Sequence, residues 1–312
     1  MIREGTAAKD LDALIPVLKE KNTRKCMFVT DDRHPKDLRV HINDMVRRAV
    51  DAGVDVIKAV QIGSLNTAEY FGLKTQGAIA PGYKADLLIL PDLKTFKPDV
   101  VIKDGKIVAE NGQLLKAFTK FEKPSVRSSI NVRWIEQSDF EIKGTSENVN
   151  TIEIVPHQLI TKSSICEAKF ENGKLYSNTD TDTLKIIVME RHRATGNIGK
   201  GFVKGFNLKS GAIASTVAHD SHNMIIVGTN DFDMYTAAVE LVKMQGGKVV
   251  VNNGKVLAKL PLPIAGLMSD KDFDYIIKHC EDLNKAVKDL GCTLDDAFMT
   301  MSFLSLPVIK NY

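Results

Sequence analysis

Long apolar runs, paired cysteines and a bias of charge are all missing from this sequence, and each absence removes a class of protein. No stretch approaches the ~18 consecutive apolar residues that a bilayer demands, and the opening Met-Ile-Arg-Glu-Gly has no basic segment followed by an apolar one. A cytosolic chain with no membrane partner is expected. Lys and Arg number 42 against 39 Asp and Glu, a net charge of +3, too small and too scattered to recruit nucleic acid or an anionic surface. The four cysteines, Cys26, Cys166, Cys280 and Cys292, stand far apart with no C-x-x-C pair. Reduced buried thiols are expected, not a disulfide frame or a structural zinc site. What is present, 44% apolar and 26% charged residues over 312 positions, suits a globular chain of one to three domains whose partner is a small molecule.

The first seventy residues read as helix, strand and further helices. Leu11, Leu14, Ile15 and Leu18 recur on one helical face, with Pro16 expected to kink it. Residues 25–30 (KCMFVT) form a short apolar run with β-formers, which predicts a buried strand. Ile42, Met45, Val46 and Ala49 line a second helix ended by Gly53, and residues 56–62 lead into a third segment. Asn66 and Thr67 look like the start of another short helix, with Gly72 near its end. From Gly77 the texture changes to strands over 85–90, 100–103 and 107–110, the last two flanking Asp104-Gly105, a hairpin turn signal. Residues 113–130, with Lys116, Lys120, Lys123, Pro124 and Arg127, read as a connection.

Beyond it the order is mixed, as in a separate α+β domain. Strands are expected over 131–135, 151–155, 184–189, 212–217, 224–227 and 248–251, with a turn at Asn253-Gly254. Met234, Ala237, Ala238, Leu241 and Val242 line one helix. Phe273, Ile277, Cys280, Leu283 and Val287 line another, with Ser269 as its expected cap and Gly291 as its stop.

Two clusters could carry chemistry. Residues 29–35 (VTDDRHP) put Asp31 and Asp32 at the end of a buried strand, where a carboxylate can bind a divalent metal and move a proton to or from water. Adjacent aspartates point different ways, so only one can face a site. The alternative is that they cap the next helix or sit in a solvated loop. His34 either stands behind Asp31 or is a loop residue. The second cluster is His219-Asp220-Ser221-His222-Asn223 between two apolar strands. It could lean over a ligand or a metal, or could satisfy only local backbone groups. Arg191-His192-Arg193 before Thr195-Gly196 invites a phosphate-loop reading, but the spacing matches no phosphate-binding pattern and glycine-rich turns over 195–201 are preferred. His157 and His279 read as structural.

Thr30-Asp31 with His34-Pro35, and residues 77–90 (GAIAPGYKADLLIL), resemble the eighth-strand motif of the amidohydrolase superfamily and its return into a small β-sandwich. Residues 2–11, 28–35, 41–44 (HIND), 191–197 (RHRATGN), 217–223 (VAHDSHN) and 260–269 (LPLPIAGLMS) resemble the microbial adenine deaminase family, over the whole chain. The resemblance implies metal-dependent hydrolytic deamination of adenine to hypoxanthine and ammonia, with a purine base as partner. Asp31 matches the aspartate that ligates metal and shuttles the proton, with Asp32 and His34 behind it and His219, Asp220 and His222 as candidates for contact with substrate. The metal centre it implies is binuclear, of manganese or iron.

The fold implied is α/β plus α+β: the last units of a (β/α)8 amidohydrolase barrel over 1–75, a β-sandwich segment over 76–115, and a linker with a C-terminal α+β domain over 116–312. A barrel of this kind takes ~200 residues, and no His-x-His pair occurs in the sequence. The chain is therefore expected to be the C-terminal portion of such an enzyme, inactive and metal-free alone. It should form a homo-oligomer or associate with an N-terminal barrel portion. The alternative is a non-catalytic truncated product, or one half of a split enzyme whose first seventy residues expose apolar faces that a partner must cover.

Overall fold

Apolar residues here gather into separate cores, and the computed structural model divides into two compact units, Met1–Glu122 and Lys123–Tyr312. It describes residues 1–6, 9–20, 22–115, 128–155 and 158–306. Most of the expected connection, Lys116 to Arg127, and the expected structural His157 lie outside the described residues.

In the first unit, β1 (Ile2–Arg3), α1 (Leu11–Glu20) and β2 (Phe28–Val29) form a β-α-β step. The two strands run parallel, Ile2 opposite Phe28 and Arg3 opposite Val29. Leu11, Ile15 and Leu18 on one face of α1 are buried with Ile2 and Phe28 in a core shared with Met45, Val46, Ala59 and Ile62. The strand is shorter than the 25–30 run, because Cys26 belongs to a turn closed by its own N–H on the Thr23 carbonyl (2.8 Å). The helices α2 (Ile42–Asp51), α3 (Val56–Gly63) and α4 (Leu65–Tyr70) follow. Asp55 caps α3, accepting from Lys58 N at 3.0 Å. Asn66 is not a cap: it lies inside α4, buried, and its amide donates to the carbonyls of Thr23 and Cys26, both at 2.9 Å. A buried amide finds its partners across the core rather than at the helix end.

An antiparallel meander completes this unit: β3 (Leu87–Ile89), β4 (Val100–Lys103), β5 (Lys106–Glu110) and β6 (Gln113–Leu114). Asp104 and Gly105 both have positive φ (49° and 74°), as a two-residue hairpin requires. No residue of these four strands is buried, and Leu88, Ile89, Ile107 and Leu114 are all more than half exposed.

The second unit is built on β7 (Ile142–Lys143), β8 (Asn148–Ile154), β9 (Thr161–Glu167), β10 (Lys169–Glu171), β11 (Lys174–Tyr176), β12 (Leu184–Met189), β13 (Ile198–Lys204), β14 (Ala212–Ser215), β15 (Met224–Gly228), β16 (Gly247–Asn252) and β17 (Lys255–Pro261). Its helices are α5 (Asp231–Lys243), α6 (Phe273–Asp289) and α7 (Ala297–Phe303). Eight strands make one sheet in the order β17-β16-β14-β15-β12-β13-β8-β9, all pairs antiparallel except β13 with β8, and β10, β11 and β7 make a small separate one. Alternate residues of the central strands face opposite sides. Leu184, Ile186, Ile213, Ile225, Val227 and Val250 pack on Cys280, Leu283, Val287, Phe298 and Met301 of α6 and α7. Ile187, Met189, Ala214, Ile226, Val249 and Val251 pack on Met234, Ala237, Ala238 and Leu241 of α5. Helices on both faces explain why these strands read as unbroken apolar runs.

The structure departs from the sequence pattern at three places. Residues 131–135 form no strand: Asn131 N donates to the Arg191 carbonyl (2.8 Å) and its own carbonyl accepts from Ala194 N (3.0 Å), a loop pairing outside any ladder. Only Gly196 of the glycine-rich run turns (φ 77°), while Gly199 and Gly201 lie within β13. Asp272, accepting from Tyr275 N, caps α6, and Ser269 instead closes a turn on Lys271 N. Among the described residues no helix is long and apolar enough to cross a membrane, and all four cysteines are free thiols.

Candidate functional site

Asp31 follows β2 by two residues and takes a positive φ of 57°, uncommon for a residue other than glycine and more tolerated by Asp, Asn and His. It is exposed, and its Oδ1 accepts from the N–H of Asp32 at 2.7 Å. The loop beneath it is tied down. Asp32 gives its carbonyl to Thr6 N (2.9 Å), His34 N donates to Thr6 Oγ1 (2.7 Å), and Thr6 Oγ1 donates to Asp37 Oδ2 (2.6 Å). Arg33 Nε donates to the Glu4 carbonyl at 2.8 Å. His34 is buried, and its Nδ1 accepts from Lys36 N (3.3 Å), so it caps the short 3-10 turn Pro35–Arg39. Asp31, Asp32 and His34 thus share one loop, anchored at the C-terminal end of a buried parallel strand.

In the second unit the three C-terminal stretches singled out in the sequence converge at one end of the large sheet. Met189 at the end of β12 pairs with Met224 at the start of β15, and Ser215 at the end of β14 pairs with Ile225 and Lys248. Gly247 at the start of β16 pairs with Pro261 at the end of β17. Residues 190–197, 216–223 and 262–269 therefore leave the sheet side by side. Thr216 Oγ1 donates to the Gly266 carbonyl (2.6 Å) and accepts from Gly247 N (2.8 Å), stitching two of them.

The loop 219–223 holds a pair of imidazoles, with ring centroids of His219 and His222 5.8 Å apart and His219 against Phe303 at 4.9 Å. His222 has a positive φ of 51°, and its Nδ1 accepts from Ala218 N at 3.1 Å. Burial, with His219 and Arg191 nearby, holds its imidazole below the ordinary histidine range. Asp220 and Ser221 are exposed, and Asn223 Oδ1 is buried with no hydrogen-bond partner among the described residues. Arg191 and His192, weighed in the sequence only against a phosphate loop, contribute to this loop as well. His192 reaches the Ser221 carbonyl through Nε2 at 2.7 Å, and Arg191 is buried beside His222. Glu190 organises the turn that carries them. Burial opposes its ionisation, but the N–H groups of Thr195, Arg193 and His192 outweigh that and bring its carboxyl to about 2. His279 stacks on Tyr275 and hydrogen-bonds its carbonyl (2.8 Å), as a structural residue does.

Among the described residues, no group of three or more His, Cys, Asp and Glu side chains is placed to hold a metal ion. A single exposed carboxylate such as Asp31 could give at most one ligand, so the described residues do not by themselves fit a binuclear site.

A family model described as "Amidohydrolase family" matches residues 2–108, which makes the first unit an amidohydrolase relative, and such enzymes are generally metal-dependent. A model described as "Adenine deaminase C-terminal domain" matches residues 158–312. An adenine deaminase of Dehalococcoides mccartyi is 45% identical over 313 residues, covering all of this chain and 55% of the relative. The adenine deaminase 2 of Carboxydothermus hydrogenoformans is 46% identical over 314 residues with the same coverage, and an adenine deaminase of Methanothrix thermoacetophila is 44% identical over 313 residues, 54% of its length. The chain belongs to the adenine deaminase family. It spans about half the length of these curated relatives.

Proposed function

We propose that this chain supplies part of an adenine deaminase, which hydrolyses adenine to hypoxanthine and ammonia, and that it acts only when completed by the barrel portion it does not contain. One observation carries the reading: β1, α1 and β2 form a parallel β-α-β step, and Asp31 stands just beyond the second strand. Catalytic side chains of parallel barrels collect at that end of a strand. On this reading residues 1–75 are the last barrel units, 76–115 a β-sandwich segment, and 116–312 a linker with the C-terminal α+β domain.

Asp31 would hold and move the proton, taking it from the attacking water and passing it toward the ring and the departing amine. Asp32 and His34 would fix its loop. A metal centre, manganese or iron and binuclear, would draw only Asp31 from this chain and its remaining ligands from the missing portion. His219, Asp220 and His222 would contact the purine. The cytoplasm, where thiols stay reduced, suits the four free cysteines.

A specific observation favours the second reading alongside it, that the chain is one half of a larger assembly. The β3–β6 sheet buries none of its residues, and Ile57, Val60, Tyr70, Phe71, Leu73 and Ile79 are exposed in the same unit. Such apolar surface calls for a covering partner, either the missing barrel portion or a second copy. The test is metal content and ammonia release from adenine, measured on the chain alone and after mixing with a polypeptide carrying the rest of the barrel. Activity in the mixture alone supports the proposal, and activity of the isolated chain would overturn it.

A further inference from the structure

Arg191 is 2% exposed, and its guanidinium donates to three backbone carbonyls: Ser129 from Nη1, His222 from Nε and Ala265 from Nη2. These carbonyls belong to three segments remote in sequence. Burial alone lowers its basicity, and among the described residues no carboxylate is paired with it. A buried cation without a counter-charge is costly, so the position is poorly explained by stability. The fork also leaves no slack. A Cβ on Gly266 would lie 2.9 Å from Nη1 and 3.1 Å from Cζ, and a lysine could not reach three carbonyls in different directions.

The neighbour most affected is His222, whose carbonyl Arg191 holds. The Ala218 N–H donates to Nδ1 of that ring, so the neutral imidazole must carry its proton on Nε2. His219, Asp220, His192 and Arg191 are the charged or titratable groups that face it. Asn223 Oδ1, buried and with no hydrogen-bond partner among the described residues, lies one residue on.

We propose that Arg191 is a positioning residue, whose guanidinium clamps the loop 219–223 so that His222 presents Nε2–H as a fixed donor to a ligand with a ring-nitrogen or carbonyl acceptor. That the ligand is a purine rests on the proposed function; the clamp does not.

The test is imidazole 15N NMR on the full chain. In the parent protein His222 shows the Nε2–H tautomer across neutral pH and protonates below an ordinary histidine. Arg191→Met lets the loop relax, so the tautomer preference weakens and protonation moves up toward the ordinary value. Gly266→Ala, which crowds the guanidinium from outside, gives the same change in smaller degree and serves if Arg191→Met does not fold. Lys185→Met removes another buried cation of this unit and leaves the His222 signals where they were. Unchanged His222 tautomer and titration in a folded Arg191→Met or Gly266→Ala protein would overturn the clamp, as would an equal change in Lys185→Met. In the completed enzyme, a rise in adenine KM of roughly tenfold for Arg191→Met with little change in kcat, the scale of one lost hydrogen bond, supports the purine as ligand. A His222 change by NMR with adenine KM unmoved keeps the clamp and overturns only the purine reading of this loop.

Discussion

Lys185 and Asp231 give the most direct stability prediction. Lys185 is 1% exposed, and its ammonium donates to Asp231 Oδ1 at 2.6 Å and the Phe140 carbonyl at 3.1 Å, with the Tyr176 ring 5.1 Å away. Asp231→Asn keeps the shape but leaves the ammonium with neutral acceptors only. Removing one partner of a buried pair costs about 3–5 kcal/mol, most of it from stranding the other charge. Asp231 is also the first residue of α5, so a favourable charge at a helix N-terminus, worth about 0.3–1 kcal/mol, goes with it. For a unit of this size each kcal/mol is roughly 2–4 °C in Tm, which puts the loss on the order of 10 °C. Lys285 and Asp289, 76% and 60% exposed and paired at 2.6 Å, are the contrast: solvent screens that pair, and Asp289→Asn there should leave Tm nearly where it was. Thermal unfolding of both variants, followed by circular dichroism at pH 7, decides the matter. Equal, small losses would refute the argument that burial sets the magnitude.

Other outcomes follow from the same geometry. Asn66→Ala strands the carbonyls of Thr23 and Cys26 and should cost about 1–3 kcal/mol in a denaturant titration. Because the Glu190 carboxyl is held at about 2, well below its ordinary 4.5, its contribution is present above pH 4.5 and is lost as pH falls toward 2. Glu190→Gln should therefore flatten the acid limb of a stability–pH curve in that window and leave the slope above it unchanged. In the completed enzyme Asp31→Asn should lower kcat by roughly 10²–10⁴, the range of a lost proton shuttle, with far-ultraviolet circular dichroism unaltered. His219→Ala should cut turnover there by about tenfold or more, and unchanged kinetics would remove His219 from the site.

Strongly periodic or strongly punctuated elements were legible from residues alone. The faces of α1, α2, α5 and α6, the strands β12 and β16, and the Asp104-Gly105 and Asn253-Gly254 turns all follow from spacing and from the positive φ those turns need. The misses have local causes. Asn66 looked like a cap because its type favours caps, but a core position with two open carbonyls captured it. Residues 131–135 have strand composition but hydrogen-bond to the Arg191 segment instead of a ladder. The glycines of β13 hid a strand because Gly199 and Gly201 lack the side chains on which strand patterns depend. In the candidate site, His219, Asp220 and His222 stood out as a dense polar run, whereas Arg191 stood out only as part of a basic, glycine-flanked stretch that fits no phosphate-binding pattern. Its importance comes from three carbonyls at positions 129, 222 and 265, and no local pattern encodes that meeting.

On the proposed function, Asp31 and its loop are one part of a deaminase whose remaining metal ligands lie in polypeptide absent from this chain. The deciding experiment is ammonia release from adenine, measured with added manganese or iron on this chain, on a polypeptide carrying the rest of the barrel, and on the two mixed. Activity is expected in the mixture only, and is lost again when this chain carries Asp31→Asn. Activity of this chain by itself, or full activity of the mixture with Asp31→Asn, would overturn that division of the site.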